Sequence, residues 1–412
     1  MDRTIAVQLR TWERVVRLQL KEIIKQIKQN KDLHVLLLAA GIYFPFLFLG
    51  YGSDYDTYRV LWVGRNYVET LDYVPSRVPG FFIFETITYF LDSIGGSFLT
   101  NFGSLIMSLL IISIFLFICK RYQVPNYRFL AVILMVHPYF LVNSTCTMDY
   151  LFALGFTMIG FWLLLKGKFP LAGFMMALGI GSRLTIAAVA GLLLLWVFIF
   201  DRQNRKRIFM AGVIMAVFAF IFYLPPITFA EWKTHIFFPS VGGEEYWSLY
   251  LRVGRFLYKS VYFWSPPVFV ILIWGLVRLF TTARLKGNKK YLQIGLISLS
   301  LIAGMQLFYL WLPTEPSYLI PTIPFWLILI GITFSDKKWV LRLMLALVIL
   351  SNFVTFTTVR PNVVNQATGA EFGLWVEPGH LVKDVQKRLE YLACGNLPCT
   401  TLSDAIRGLG EE

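Results

Sequence analysis

Long runs of apolar residues recur along the chain and alternate with short polar linkers. A helix needs about 20 predominantly apolar residues to cross a hydrocarbon layer about 30 Å thick. This pattern predicts about eleven membrane-crossing helices, at residues 34–50, 101–119, 128–143, 150–165, 169–182, 185–200, 208–226, 266–280, 291–311, 318–334 and 339–356. A soluble fold of this length could not enclose so much apolar surface. We therefore expect an all-α polytopic membrane protein.

Composition supports the membrane prediction, and the location of the charges gives an orientation. Of the 412 residues, 57% are hydrophobic and 15% are charged, with a net charge of +14. Basic residues concentrate in linkers that fall on one side of the predicted layout: Lys120–Arg121, Lys166–Lys168, Arg202–Arg207, Arg284–Lys290 and Lys337–Lys338. Cytoplasmic loops carry such an excess of Lys and Arg. We therefore expect a cytoplasmic N-terminus, an outer C-terminus, a plasma or inner membrane location and no binding to nucleic acid.

The first 33 residues differ from the membrane segments. In LRTWERVVRLQLKEIIKQIKQNK, apolar residues recur at helical spacing opposite a Lys and Arg face. This is typical of a helix that lies on anionic membrane lipids, and a partner-binding helix is the alternative. We divide the chain into a cytoplasmic amphipathic helix (1–33), a transmembrane catalytic module (34–356) and a small outer tail (357–412).

Three sizeable pieces of chain fall on the predicted outer side. They are the first outer loop (51–100), a second loop (227–265) and the tail after Thr357. Loops between membrane helices are usually short, so their convergence predicts a functional surface on this side. The tail contains CGNLPC, and a disulfide between Cys394 and Cys399 would persist there and stabilise the fold by roughly 2 kcal/mol.

The first outer loop opens with two acidic residues in GYGSDYDTYRVLW. Ser53 and Asp56 have the spacing of a capping box that would begin a helix ending near Leu71. Asp56 is then either a cap or a catalytic carboxylate, and Asp54 in the first turn either interacts with the helix dipole or is catalytic. In an extended backbone the two side chains would point the same way and could share a divalent cation such as Mg²⁺ or Mn²⁺.

The rest of this loop adds an arginine and a glutamate. Arg77 lies between two prolines in YVPSRVPGFFIFETITYFL, on the side where basic residues are otherwise scarce. A guanidinium suits phosphate recognition, and a lipid headgroup contact is the alternative. Glu85 follows among aromatic residues and is expected to have a partner there.

Further candidates lie at the outer ends of later segments. Arg183 follows a glycine-rich segment, and it would either bind a phosphate or pair with Asp149. Glu315 precedes a span interrupted by prolines. Arg252, Arg255 and Lys259 form a basic cluster that would bind either lipid headgroups or a substrate phosphate.

In their order and common sidedness, these motifs resemble the GT-C superfamily of membrane glycosyltransferases, of the protein mannosyltransferase and aminoarabinose transferase type. The matching motifs are Asp54 with Tyr58 four residues later, a Pro-Gly turn before aromatic residues, Arg183 in a glycine-rich span, and the late motif from Tyr318 to Pro324. The resemblance implies juxtamembrane helices in the first outer loop and a catalytic role for Asp54. It also implies transfer of a sugar, generally with inversion, from a polyprenyl-phosphate donor to a lipid, glycan or protein.

Taken with the resemblance, the residues define a candidate site on the outer face. Asp54 and Asp56 are the catalytic candidates, and Arg77, Arg183, Arg252 and Arg255 are the candidates for binding the donor phosphate. The remaining pocket candidates are Tyr58, Glu85, Asp149, Glu315 and Tyr318. No cofactor is required, because the lipid carries the leaving group. A polysaccharide polymerase or ligase with a lipid-linked substrate is the nearest rival. A transporter would usually show paired halves, which are not evident here.

Overall fold

A computed structural model describes residues 30–70, 73–229, 249–282, 285, 287–361 and 370–393. Nearly all of the predicted amphipathic helix (1–33) and the predicted disulfide between Cys394 and Cys399 lie outside the described residues. Both therefore stay predictions.

The described chain is helical apart from one hairpin, which confirms the helical prediction. The α-helices are α1 (Lys31–Tyr43), α2 (Tyr55–Thr70), α3 (Phe82–Arg121), α4 (Tyr127–Val136), α5 (Pro138–Asn143), α6 (Asp149–Leu165), α7 (Phe169–Ser182), α8 (Ala187–Phe200), α9 (Arg205–Phe229), α10 (Leu249–Trp264), α11 (Pro266–Thr281), α12 (Lys289–Trp311), α13 (Ile323–Thr333), α14 (Lys338–Phe353) and α15 (His380–Ala393). Short 3₁₀ helices at Phe44–Phe48 and Pro316–Thr322 precede α2 and α13.

Five described segments are long and apolar enough to cross a membrane: Lys31–Phe48, Phe82–Arg121, Arg202–Phe229, Lys289–Trp311 and Pro316–Thr333. The pair α10 and α11 adds a sixth if it forms one broken span, with a bend of 99°. The protein is thus an integral membrane protein, whereas the predicted number of about eleven crossings is not confirmed. Several of the predicted runs instead form shorter apolar helices, among them α4, α6 and α7.

Two breaks explain why apolar runs and helices do not coincide. In α3, Gly95 and Gly96 leave helical geometry, and Gly96 has φ +56°, ψ −147°, a conformation that only glycine adopts readily. The joint separates the first part of α3, which belongs to the first outer loop, from the long apolar part. Pro138 divides the run 128–143, because the residue before a proline avoids helical backbone angles and His137 is extended.

The glycine-rich segment is a tight packing surface of the bundle. A Cβ atom on Gly160 of α6 would lie 2.5 Å from Met176 Cγ of α7, and one on Gly173 of α7 would lie 2.2 Å from the Ala211 carbonyl oxygen of α9. Small residues allow such close backbone approach between membrane helices. This packing places Asp149, at the start of α6, beside Arg183, which follows α7.

The tail continues directly from α14 as an antiparallel hairpin and a helix. Strand β1 (Val354–Pro361) pairs with β2 (Ala370–Pro378), with Thr355 opposite Glu377, and α15 follows. The run VTFTTV is rich in β-branched residues, which favours a strand. Tyr258 of α10 and Thr357 of β1 share a hydrogen bond of 2.8 Å between their hydroxyls. The tail and the second loop therefore meet at one end of the bundle.

Candidate functional site

The site begins in the turn that leads into α2. Gly50 and Gly52 have positive φ there, and the Tyr51 carbonyl accepts a hydrogen bond of 2.7 Å from the Thr147 backbone N–H. Asp54 caps α2, because its Oδ1 accepts from the Asp56 backbone N–H at 3.0 Å. The predicted capping box of Ser53 and Asp56 is therefore wrong.

Both partners of that predicted box are engaged elsewhere. The Ser53 hydroxyl donates to Asp384 Oδ1 at 2.6 Å, and Asp56 Oδ2 accepts from Arg77 Nη1 at 2.5 Å. The helix itself is confirmed and ends at Thr70. Asp54 keeps one carboxylate oxygen outside the cap contact, which leaves it available for chemistry.

Three carboxylates from distant parts of the chain form a cluster, which we call the carboxylate cluster: Asp54, Asp56 and Glu315. One oxygen from each lies within 4.8 Å of the other two, and all three residues are partly buried. Glu315 immediately precedes the 3₁₀ helix Pro316–Thr322, and its Oε2 accepts a 3.0 Å hydrogen bond from the Tyr150 hydroxyl. Oxygen ligands of this kind suit Mg²⁺ or Mn²⁺, so the cluster fits the predicted cation.

A second group, the charge chain, consists of Asp56, Arg77, Asp149 and Arg183. Arg77 Nη1 and Nη2 donate to Asp56 at 2.5 Å and to Asp149 at 3.3 Å, while Arg183 Nη1 donates to the other Asp149 oxygen at 2.5 Å. Asp149 is fully buried, and buried charges persist only when they are paired in this way. Of the two predicted roles of Arg183, the structure thus shows the pairing with Asp149.

Aromatic rings enclose the inner end of the charge chain. The Arg183 guanidinium lies 4.0 Å from the centre of the Tyr150 ring and 4.6 Å from that of Tyr318. Arg77 is the more accessible arginine, with 16% of its side chain exposed against 5% for Arg183. Burial would lower the pKa of Arg77, but Asp149 and Asp56 raise that pKa above its usual value.

Asp54 has a perturbed environment within the carboxylate cluster. Burial and, to a smaller extent, the charge of Glu315 raise the pKa of Asp54 from 3.8 to about 6, although the hydrogen bond from the Asp56 N–H opposes the shift. A general base works best when its pKa lies near the working pH. A carboxylate with a pKa near this value is ionised at neutral pH and is able to accept a proton.

Glu85 is buried and positions the loop that carries Arg77. Its carboxylate accepts from the Ser76 backbone N–H at 2.9 Å and from the hydroxyls of Ser76 and Tyr73. These bonds fix the segment immediately before Arg77. Glu85 thus has a structural role, because it holds the backbone that precedes Arg77.

Other predicted residues are not members of the carboxylate cluster or the charge chain. The Tyr58 ring packs edge-on against Tyr51 and Tyr391, with centroids at 6.3 and 5.6 Å. Arg252 and Arg255 both lie on α10. The Arg252 guanidinium is 5.3 Å from the centre of the Trp311 ring of α12. Lys259 of that helix donates to the Thr314 carbonyl, next to Glu315.

Tyr150, Asp384 and Arg388 belong to the site region but escape sequence reasoning. The Tyr150 ring packs against Arg183, and its hydroxyl donates to Glu315. In the sequence, Tyr150 is simply an aromatic residue at the start of an apolar run, which gives no indication of this role. Asp384 and Arg388 are four residues apart on α15, and such a pair usually indicates an exposed helix face. Here both side chains are buried.

Comparison with known proteins gives similar folds only among solved structures. No protein-family model and no curated protein sequence matches the chain. The crystal structure of ArnT from Cupriavidus metallidurans in the apo state matches with a TM-score of 0.53 and 18% identity. The crystal structure of the same protein bound to undecaprenyl phosphate matches with a TM-score of 0.54 and 16% identity. The chain has the ArnT fold.

The shared fold covers most of this chain but a smaller part of ArnT. Each match includes 74% of this chain and 60% of the ArnT chain. The ArnT fold agrees with the architecture implied by the GT-C resemblance. At these identities the similarity concerns the fold, and the chemistry has to be argued from this chain's own residues.

Proposed function

We propose that the protein is a glycosyltransferase that takes a sugar from a polyprenyl-phosphate donor. The observation that carries the proposal is Asp54, a partly buried carboxylate with a pKa raised to about 6, held beside paired arginines on an ArnT-like fold. Its acceptor is a hydroxyl group of a lipid, glycan or protein. One of the similar ArnT structures holds undecaprenyl phosphate, which supports a donor of this chemical class.

In this reaction Asp54 is the general base. It accepts the proton of the acceptor hydroxyl while the acceptor oxygen forms a bond to the anomeric carbon of the sugar. The bond between that carbon and the phosphate oxygen breaks, and polyprenyl phosphate leaves with the bonding electrons. The attack from the opposite side inverts the anomeric centre. A sugar linked to a lipid phosphate needs no nucleotide site in the protein.

Arg77 is the best placed group to stabilise the charge that develops on the leaving phosphate. It belongs to the charge chain, it is the more exposed of the two arginines, and its planar guanidinium fits a phosphate. Arg183 lies deeper and holds Asp149, which in turn orients Arg77. Arg252 and Arg255 of α10 would contact either the donor phosphate or membrane lipid headgroups.

A divalent cation is compatible with the site but is not required by the proposed reaction. Asp54, Asp56 and Glu315 would hold it, as their oxygens already lie close together. Bound Mg²⁺ or Mn²⁺ would supply positive charge to neutralise a donor phosphate.

We further propose that the site faces the extracytoplasmic side of a plasma or inner membrane. Lys120 and Arg121 are the last residues of α3, and Lys337 and Lys338 lie at the start of α14. None of these basic residues belongs to the carboxylate cluster. The excess of Lys and Arg on cytoplasmic loops supports this orientation.

The test uses the full-length protein in lipid nanodiscs with a panel of polyprenyl-phosphate sugars and a membrane extract as acceptor source. Release of polyprenyl phosphate is followed for the wild type, Asp54→Asn and Asp336→Asn. The last variant makes the same change in a cytoplasmic linker, where Asp336 pairs with Arg278. We expect turnover by the wild type and Asp336→Asn, and a loss of about 10²–10⁴-fold in Asp54→Asn.

Two results would contradict the proposal. Equal turnover by wild type and Asp54→Asn would show that Asp54 is not the general base. A folded wild type that consumes none of the donors would exclude this class of reaction for the panel tested and would favour the ligase or transporter alternatives.

A further inference from the structure

Arg388 of the tail helix α15 is fully buried although it carries a charge. Arginine is rarely found in this state, because removing a guanidinium from water is costly unless hydrogen bonds replace the lost hydration. What surrounds Arg388 therefore indicates what its burial achieves.

The Arg388 guanidinium binds the turn that leads to Asp54. Its Nε donates to the Leu49 carbonyl at 3.1 Å, and its Nη2 donates to the carbonyls of Phe46 at 3.0 Å and Gly50 at 3.3 Å. The carbonyls at the end of a helix lack partners within that helix. Arg388 donates to carbonyls at the end of the 3₁₀ helix Phe44–Phe48, and it holds this turn together with Asn101 Nδ2, which donates to the carbonyls of Leu47 at 3.1 Å and Gly50 at 2.6 Å.

The same guanidinium also binds the segment that leads to Asp149. Its Nη2 donates to the Thr145 carbonyl at 2.6 Å, and its Nη1 donates to the Thr145 hydroxyl at 3.3 Å. One side chain therefore connects the approach to α2, which carries Asp54, with the approach to α6, which begins at Asp149.

Asp384, one helical turn earlier, completes the attachment. Its Oδ2 accepts from Arg388 Nη1 at 3.3 Å, and its Oδ1 accepts from the Ser53 hydroxyl at 2.6 Å. Asp384 is also buried. The pair, which we call the tail clamp, thus contacts residues 46–53 up to the position immediately before Asp54.

We infer that the tail clamp is a positioning device for the active site, with Arg388 and Asp384 acting as positioning residues that set the location of Asp54. This inference rests on the proposed function, since it assigns to the tail the geometry of the proposed base. The guanidinium matters through its fork of five N–H donors, which a lysine cannot reproduce.

The environment of Asp54 gives the inference a specific consequence. Asp54 lies in the carboxylate cluster with Asp56 of its own helix and Glu315 from the segment before α13. Loosening of the turn before Asp54 would displace its carboxylate from this position, so kcat would fall while the donor KM would change little. A clamp with a purely structural role would change the amount of folded protein but not the kcat of the folded fraction.

The experiment compares Arg388→Lys, Ser53→Ala and Lys387→Gln with the wild type in nanodiscs. Arg388→Lys keeps the charge and removes the fork. Ser53→Ala is the milder change if the first variant folds poorly, because it leaves the buried ion pair intact. Lys387→Gln is the matched control, since it removes a charge from an exposed position on the same helix.

Two readouts are needed. Amide hydrogen exchange should rise about tenfold or more in residues 46–58 of the clamp variants, with no change in α6 or in Lys387→Gln. For transfer, kcat should fall by up to about 100-fold with little change in the donor KM, the size expected when a reacting group is displaced by about 1 Å.

Unchanged exchange in residues 46–58 of folded Arg388→Lys would overturn the clamp itself. Increased exchange with an unchanged kcat would overturn its positioning role. If the wild type transfers no sugar from any donor, the proposed function fails, and with it the role in positioning a base; the exchange data then still decide whether the tail holds the turn.

Discussion

Replacing Asp54 by Asn should stabilise the protein while abolishing transfer. The pKa of Asp54 rises from 3.8 to about 6 on folding, mainly because the carboxylate is buried and lies near Glu315. Folding therefore disfavours the ionised form. A shift of about two pKa units corresponds to roughly 3 kcal/mol of stability lost at neutral pH, taken as an upper value. Asn removes this loss and keeps the cap of α2, because Asn is as good an N-cap as Asp.

The sign of the effect sets its pH dependence. As the pH falls below about 4, Asp54 becomes protonated in the unfolded protein as well as in the folded protein, so the stabilities of the wild type and the variant converge. As the pH rises through 4 to 6, the unfolded state releases its proton first, and the folded wild type loses stability relative to the variant. Above about pH 6 the difference is complete.

Thermal unfolding in nanodiscs between pH 4 and 8 measures this difference. The Tm of Asp54→Asn should exceed that of the wild type at pH 7 and converge with it at pH 4, with Asp336→Asn as the exposed control. A variant that is less stable at pH 7, or a gain that is the same at both pH values, would refute burial of a charged base as the cause.

The remaining predictions concern other parts of the site and the bundle. Glu315→Gln should shift the acid limb of kcat below pH 6 but not to 3.8, because burial is the larger cause of the Asp54 shift, and a pH–rate profile checks it. Asp149→Asn should destabilise the protein by about 3–5 kcal/mol, measured by thermal unfolding, since it leaves two arginines without their shared partner. Gly173→Ala should cost about 1–3 kcal/mol in the same assay, because its Cβ would overlap the Ala211 carbonyl.

The sequence predicts the class of fold and several partners in the site, but not the details of the first turn. The helix after Asp54 follows from local patterns, and the pairing of Arg183 with Asp149 is one of the two alternatives that the sequence predicts. The capping box fails because Ser53 bonds to Asp384, 331 residues away, and no local pattern contains that competitor. Local signals predict which groups need partners, whereas the fold decides which partners they obtain.

The number of membrane crossings is harder to predict for a related reason. An apolar run indicates a segment shielded from water, but protein and lipid shield equally well. Helix α6 is almost wholly buried within the protein and is shorter than a typical span, although its hydropathy resembles that of lipid-facing helices. Breaks at Pro138 and at Gly96 then divide runs that appear continuous in the sequence.

The tail clamp also affects the order in which the protein becomes functional during synthesis. The turn around Gly50 leaves the ribosome early, whereas Arg388 follows 338 residues later. At about 5–20 residues per second, this interval lasts roughly 20–70 s. A chain released after α14 should therefore insert into the membrane yet show rapid hydrogen exchange in residues 46–58. Because Arg388 of α15 binds the turn before Asp54, we expect the proposed transfer activity to appear only after residues 380–393 have been synthesised and packed against that turn.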